Sequence, residues 1–595
     1  MNTLKITIVI PPWTILDTPN LGAHLLQASI SDENCQISIF YSDQLLAKKI
    51  GVEKYKYISE ELLSQYELIQ ERLFVKTAYP DLPYLGKRVS LRGISYNTPR
   101  DDFDKTTDWE MLFSLENAIE EWVDSVAFEL ANSDSQIIGF SISHQQTNAA
   151  ISLINRIKKL NHQKIIIVGG SNCDGKMSQG ILSLSESIDY VFSGKSELSF
   201  KKFIQDFLNG IKPNTKIIMP IQIENLDELP IPVYDDYFLH IHQNGLQLNH
   251  WINIESSRGC WWGVAHQCKF CGVNGSQIKY KAKSPNRIFD EITLLSTKYQ
   301  VKNIRMVDTL MPRKYFNSLI PKLKELGLNI FYEQRADLSF NEMKSLKLAG
   351  INSIQVGIEA LSLTFLNLIN KGVSVADNIN CMRYAFMLNI YNGWNLLYNI
   401  PNEDVKGWEE TYQLIPYITH LPPPSYFRPI ELARFSPYYN SPKEYNIDKI
   451  RYFDVYDDIY PCNADKNSLA WLFYSEFSKI DVKKNNIIKN VKDRVKQWIK
   501  LWSNKNTRDV LMILSKGTGY ILIDTRSIAI KKAQIISEEQ ASVAVLGKES
   551  CTFENYKLWA EENKVCIEID GNYVALCNTT PNLYEFLQNK YTKSI

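Results

Sequence analysis

Cys260, Cys268 and Cys271 are the residues of this chain best suited to chemistry, because three thiols fall within one short segment, ESSRGCWWGVAHQCKFCG (255–272). Thiolates favour soft metal centres, and the Cys-x-x-Cys turn lets the last two reach the same one. A structural zinc ion asks for a fourth protein ligand, usually from a second cysteine pair. The next cysteine is Cys381, and His266 lies between the first two thiols. An iron–sulfur cube accepts three thiolates differently, leaving one iron open to a ligand. Cys35, Cys173, Cys381, Cys462, Cys551, Cys566 and Cys577 are scattered, so they read as ordinary thiols rather than as a disulfide framework.

The elements that must carry this segment form an α/β pattern. β-branched runs at 4–10, 36–41, 136–143, 164–170 and 188–193 alternate with helical stretches such as 147–160. This predicts a doubly wound, Rossmann-like domain over 1–210, with an insertion at about 45–125 that lines a cleft or meets another domain. Ligands of such sheets sit at the carboxyl ends of the strands, here Ser141, Ser143, His144, Gly169, Gly170 and Gly194. Residues 211–250, with ENLDELPIPVYDDYF, read as an ordered linker. Strand candidates at 252–257, 303–308, 329–335, 353–358, 391–400 and 426–432, with helices such as 286–299 and 313–326, predict a partial (β/α)6 barrel over 251–440. Barrel active sites lie at the strand C-termini. The cysteine segment follows the first strand, Asp308 the second, Glu333 and Arg335 the third and Glu359 the fourth.

Residues 441–595 read as a helical and winged-helix-like domain. Helices are expected within 467–503 and near 507–515, 537–546 and 552–562, followed by KVCIEIDGNYVALC, whose Asp-Gly predicts a hairpin.

A chain of 595 residues needs several cores. Its 66 basic and 66 acidic side chains cancel, so no global charge draws it to nucleic acid or anionic lipid. The helix TFENYKLWAEE (552–562) is net acidic, unlike a DNA-recognition helix. MNTLKITIVIPPW reads as a buried strand running into a proline turn rather than a secretion signal, and no stretch approaches the roughly 18 apolar residues of a membrane span. A cytoplasmic protein with neither membrane nor nucleic-acid partner is expected.

The C-x7-C-x2-C pattern, with Phe270 before the last cysteine, resembles the radical SAM superfamily. With YKAKS (280–284), DYVFSGKSE (189–197), LDELPIPVYDDYF (226–238), RMVDTL (305–310), FYEQRADL (331–338), QVGIEALS (355–362), NKGV (370–373), WNLLYNIPNED (394–404) and RFSPYY (434–439), it resembles one branch in particular. That branch comprises maturases of ribosomally made peptides with an N-terminal cobalamin-binding-like domain, commonly assigned as C-methyltransferases.

The resemblance implies a [4Fe-4S] cluster on the three cysteines, with S-adenosylmethionine (SAM) on the open iron as the source of a 5′-deoxyadenosyl radical. Phe270 would contact the adenine, Asp308 and Glu333 the polar groups of SAM, and Glu359 its ribose or aminoacyl end. Arg335 would hold the SAM carboxylate or pair with Glu333. It also implies cobalamin at Ser141, Ser143, His144, Gly169, Gly170 and Gly194, with His144 a cobalt ligand or a hydrogen-bonded loop histidine. The sequence departs from the family at Lys195, where an acid is expected, although Glu197 is close by.

The implied substrate is a precursor peptide, leader plus core, recognised around 505–580 and modified at an unactivated carbon by cobalamin-dependent C-methylation. A flavodoxin- or ferredoxin-type donor would supply electrons. Two alternatives stay open. One is a methyl-independent radical modification (epimerisation, cyclisation, crosslink or desaturation) with the N-terminal domain as scaffold. The other is a metal-stabilised peptide- or DNA-binding protein.

Overall fold

β1 (Leu4–Ile10) buries Leu4, Ile6, Ile8, Val9 and Ile10, which point to both faces of the strand. A strand so covered belongs in the middle of a parallel sheet. The computed structural model describes residues 3–30, 34–62, 67–83, 109–276, 279–475, 482–517 and 519–592. In it β1 is flanked by β2 (Cys35–Tyr41) and β3 (Ile137–Ser141), and β4 (Ile165–Gly169), β5 (Tyr190–Phe192) and β6 (Ile217–Ile218) follow in order, all parallel. The strand order reverses between β1 and β3, which opens a crevice at their carboxyl ends. β6 lies in the stretch expected to be linker, so the sheet extends beyond residue 210.

The described parts of the insertion contact two other regions. Buried Glu71 accepts hydrogen bonds from Thr147 N (3.0 Å) and Asn148 N (2.7 Å), at the start of the helix Thr147–Leu160. Arg72 pairs with Asp458 at 2.8 Å, tying the insertion to the region after the barrel. Residues 63–66 and 84–108 of the expected insertion lie outside the described residues.

The barrel is a five-stranded parallel sheet in the order β13-β12-β11-β10-β7, extended by the parallel pair β14-β15. Its strands are β7 (Trp251–Ile254), β10 (Asn303–Met306), β11 (Asn329–Gln334), β12 (Ile351–Val356), β13 (Tyr391–Gly393), β14 (Asn395–Tyr398) and β15 (Tyr426–Pro429). β13 and β14 are one predicted strand interrupted at buried Trp394, so the six βα units stand. Side-chain amides of Asn303, Asn329 and Asn352 bond in a row across the strand starts and fix their register. β8 (Ser257–Arg258) pairs antiparallel with β9 (Lys281–Ala282), closing a clasp around the cysteine segment.

Past the barrel, β16 (Leu432–Ala433), β17 (Arg451–Tyr452) and β18 (Leu472–Tyr474) form a small antiparallel sheet. The helix Val482–Trp502 packs on the last barrel helix, Val405–Ile418. The helix expected near 507–515 is instead β19 (Leu511–Lys516), paired with β20 (Gly519–Asp524) and then β21 (Ala533–Ile536). In LMILSK, Leu511 and Ile513 are buried while Met512 and Leu514 are not, a period of two in a run too short to exclude a helix. Helices Glu538–Leu546 and Phe553–Glu562 lead into the hairpin of β22 (Cys566–Ile569) and β23 (Asn572–Ala575). Its turn residues Asp570 and Gly571 both have positive φ, as a two-residue hairpin turn requires.

Candidate active site at the barrel mouth

The cysteine segment leaves the barrel just after β7, and its path is set from below. Asp308, at the end of β10, is 1% exposed and accepts hydrogen bonds from Ser256 N and Oγ, each at 2.9 Å, and from Ser257 N. Burial pushes its carboxyl up to about 7 despite these donors. Asp308 therefore holds the backbone that carries the cysteines, which corrects the expectation that it reaches SAM. Cys260 Sγ accepts from Gly263 N at 3.4 Å and caps the short helix Trp261–His266.

The three thiols are partly buried, and burial raises Cys268 and pushes Cys271 up to about 11, with each cysteine feeling its neighbours' charge. Among the described residues, no three His, Cys, Asp or Glu side chains close around a single ion. Three thiols from one short segment are the donor set an iron–sulfur cube takes, each on a separate iron, with the fourth iron left open.

Around the thiols, Phe270 packs against the core with Lys371 Nζ 6.0 Å from its ring centre. Glu333 is largely buried, and among the described residues its carboxylate has no hydrogen-bond partner. Burial first, then the charge of Asp308, pushes it up to about 7. Glu359 has φ +64° and pairs with Lys371 at 3.2 Å. Arg335 departs from both of its expected roles. It donates to the carbonyls of Lys371 (3.2 Å) and Gly372 (2.8 Å), pairs with Asp337 and stacks 3.9 Å over Trp262. It holds a turn and, among the described residues, does not pair with Glu333.

Beside this mouth lies a cavity of about 480 Å³, between the strand ends of the N-terminal sheet and the loop after Cys271. It has the size of a small-molecule or cofactor site, roughly 300–1,000 Å³. Ser141, Gly169, Gly170 and Gly194 line it with aliphatic and aromatic side chains, and Lys195 faces it. Gly170 has φ +112°, and a β-carbon there would stand 2.1 Å from Ile142 O, so only glycine fits.

Ser143 and His144 are exposed and lie outside the cavity lining. Ser143 bonds Gln146 (2.6 Å) and His144 Nε2 meets Gln145 (3.1 Å). The chain turns away after Ser141 to start the next helix, which removes both from the expected cobalamin set. Glycines and apolar groups form one part of this wall and charged groups, among them Asp174, Lys195, Glu197 and Arg258, another, which suits a bulky ring with polar substituents such as a corrin.

Cavity and mouth share a seam that sequence reasoning did not find. Arg258, two residues before Cys260, is bound by Glu255 (2.8 Å) and by Glu197 of the N-terminal domain (2.5 Å). Asp174, after β4, accepts from Ser276 N (2.9 Å) and Oγ (2.8 Å), just past Cys271. Both ends of the cysteine segment are thus fastened to the cavity wall. Over its outer side, Tyr438 N donates to Lys269 O (3.0 Å), and Tyr438 itself is buried, so RFSPYY covers the segment.

Residues 254–415 match the radical SAM superfamily. They form a radical SAM domain, which implies a [4Fe-4S] cluster and SAM. An uncharacterized methyltransferase of Pyrococcus horikoshii is 25% identical over 47% of this chain and 63% of its own length. An anaerobic magnesium-protoporphyrin IX monomethyl ester cyclase of Rubrivivax gelatinosus is 22% identical over 52% of this chain and 58% of its own. The chain therefore spans less than two thirds of either relative. Among solved structures, the cobalamin-dependent SAM radical enzyme OxsB, with aqua-cobalamin bound, aligns with a TM-score of 0.54 and 13% identity, over 84% of this chain and 67% of that one. The two share a fold. Among the described residues, no helix is long and apolar enough to cross a membrane.

Proposed function

We propose that this chain is a cobalamin-dependent radical SAM methyltransferase acting on an unactivated carbon of a ribosomally made precursor peptide. The observation that carries this reading is the glycine-walled cavity fastened to both ends of the cysteine segment, which would bring a corrin and a cluster to one reaction space. When bound, the cluster with SAM supplies a 5′-deoxyadenosyl radical, and cobalamin carries the methyl group.

The chain's own residues bind and orient. Cys260, Cys268 and Cys271 hold the cluster. Glu333, whose carboxylate has no hydrogen-bond partner among the described residues, accepts from the ammonium or hydroxyl groups of SAM, Glu359 offers a second carboxylate, and Phe270 packs on the adenine. Ser141, Gly169, Gly170 and Gly194 admit the corrin, for which the aqua-cobalamin of OxsB gives support by analogy.

The peptide reading draws on the C-terminal domain. β21 bonds β20 on one side only among the described residues, whereas the outer side of β19 meets Asn578. Ile535 on β21 is 84% exposed, and Ile530 lies exposed nearby. An extended leader peptide would add there as a further strand. A flavodoxin- or ferredoxin-type protein would reduce the centre.

Incubation of the reduced enzyme with methyl-labelled SAM and a candidate precursor peptide tests this reading. Label in the peptide is the expected outcome. 5′-Deoxyadenosine formed without labelled peptide contradicts the methyl transfer.

A further inference from the structure

Lys371, in the NKGV run (370–373), places an ammonium 6.0 Å from the ring of Phe270, the residue between Cys268 and Cys271 that precedes the last cysteine, and no sequence argument gave it a role of its own. It sits in the turn after the helix Leu363–Leu368, and that turn is sewn into the cysteine segment. Lys269 N donates to Ile369 O at 3.0 Å, and Asn370 Nδ2 to Gln267 O at 3.1 Å. From the other side Arg335 grips the carbonyls of Lys371 and Gly372 while lying on Trp262. Gly372 has φ +65°, and a β-carbon there would stand 2.0 Å from the Trp262 ring, so turn and ring are in contact. The turn that carries the ammonium cannot drift from the cysteine segment without breaking these bonds.

The side chain is 12% exposed, and it pairs with Glu359 at 3.2 Å. A buried charge is costly unless opposite charge lies near. Glu359 supplies that opposite charge, and the cysteine segment lies against the same turn.

We propose that Lys371 is a positioning residue for the cluster. Its ammonium compensates the negative charge of the iron–sulfur centre on Cys260, Cys268 and Cys271, and Glu359 sets how much of that charge the centre feels. The inference rests on the radical SAM reading of the mouth. A cation at this place favours the reduced, more negative state of the centre, so it raises the potential at which an electron is accepted.

The test is a redox titration of the reconstituted full-length protein followed by electron paramagnetic resonance, with iron and sulfide measured in parallel. Lys371→Met moves the midpoint to more negative potential, and Lys371→Arg returns it toward the wild-type value. Glu359→Gln moves it the opposite way, because a negative charge beside the centre is lost. If Lys371→Met fails to hold iron, Lys371→Gln is titrated in its place: a negative shift supports the proposal and an unmoved midpoint overturns it. Fully loaded variants that all titrate like wild type overturn the inference alone. A wild-type protein that takes up no iron overturns the reading beneath it.

Discussion

At the barrel mouth, Asp308, Arg335, Glu359 and Lys371 are each held by a protein neighbour, whereas the adjoining cavity has glycines and apolar side chains over one part of its wall and charged groups such as Asp174, Lys195, Glu197 and Arg258 over another, around open space. The mouth is preorganised by charge and hydrogen bonds, as a site must be to fix a small ligand on a metal centre. The cavity is preorganised by shape. Arg258–Glu197 and Asp174–Ser276 couple the two, so each side constrains the other.

That contrast can be broken from either side. Replacing Cys268 by Ala removes iron from the mouth entirely while hydroxocobalamin still binds the cavity, read as iron content and corrin absorbance on one sample. Gly170→Ala breaks the cavity instead. Forcing a β-carbon into the left-handed region against Ile142 O costs about 3 kcal/mol in chemical denaturation, and corrin retention falls while reconstituted iron persists.

A smaller effect separates charge from shape by pH. The folded state raises Glu333 to about 7, above its unfolded value of roughly 4.3, so the fold prefers the protonated form. Its contribution to stability is complete in acid and is lost as pH rises through about 7. Glu333→Gln lacks that loss. SAM affinity, which needs the carboxylate, rises over the same interval in wild type and stays flat in the variant, as calorimetry would measure. The cavity's corrin affinity does not follow this profile.

The smallest structural change lies outside both regions. Ile535→Glu on exposed β21 alters stability by less than about 0.5 kcal/mol. It weakens binding of the leader peptide by about tenfold, roughly 1.4 kcal/mol, with cluster and corrin content unchanged.

Much of this arrangement was legible because it follows from periodicity and thiol spacing. The parallel sheets, the six βα units, the three cysteines and the glycines at the strand ends of the N-terminal sheet all come from such patterns. Asp308 was misread because an acid at a strand end looks the same whether it caps a backbone or faces a ligand. Arg335 was misread because its partners are carbonyls of a turn 36 residues away. His144 lies only three residues past Ser141, yet the chain turns there into the next helix and carries it out of the cavity. Asp174 gave no signal, and Lys371 stood out only as part of the NKGV run (370–373) with no role of its own, since a loop lysine or aspartate is ordinarily solvated. Only tertiary packing brings them to the cysteine segment.

The central claim is that mouth and cavity serve one reaction, and co-reconstitution tests it most directly. The protein is loaded anaerobically with iron, sulfide and hydroxocobalamin, desalted and assayed for all three. One four-iron cluster and one corrin retained on the same chain is the result predicted. A chain that holds its full complement of iron and no corrin would contradict it.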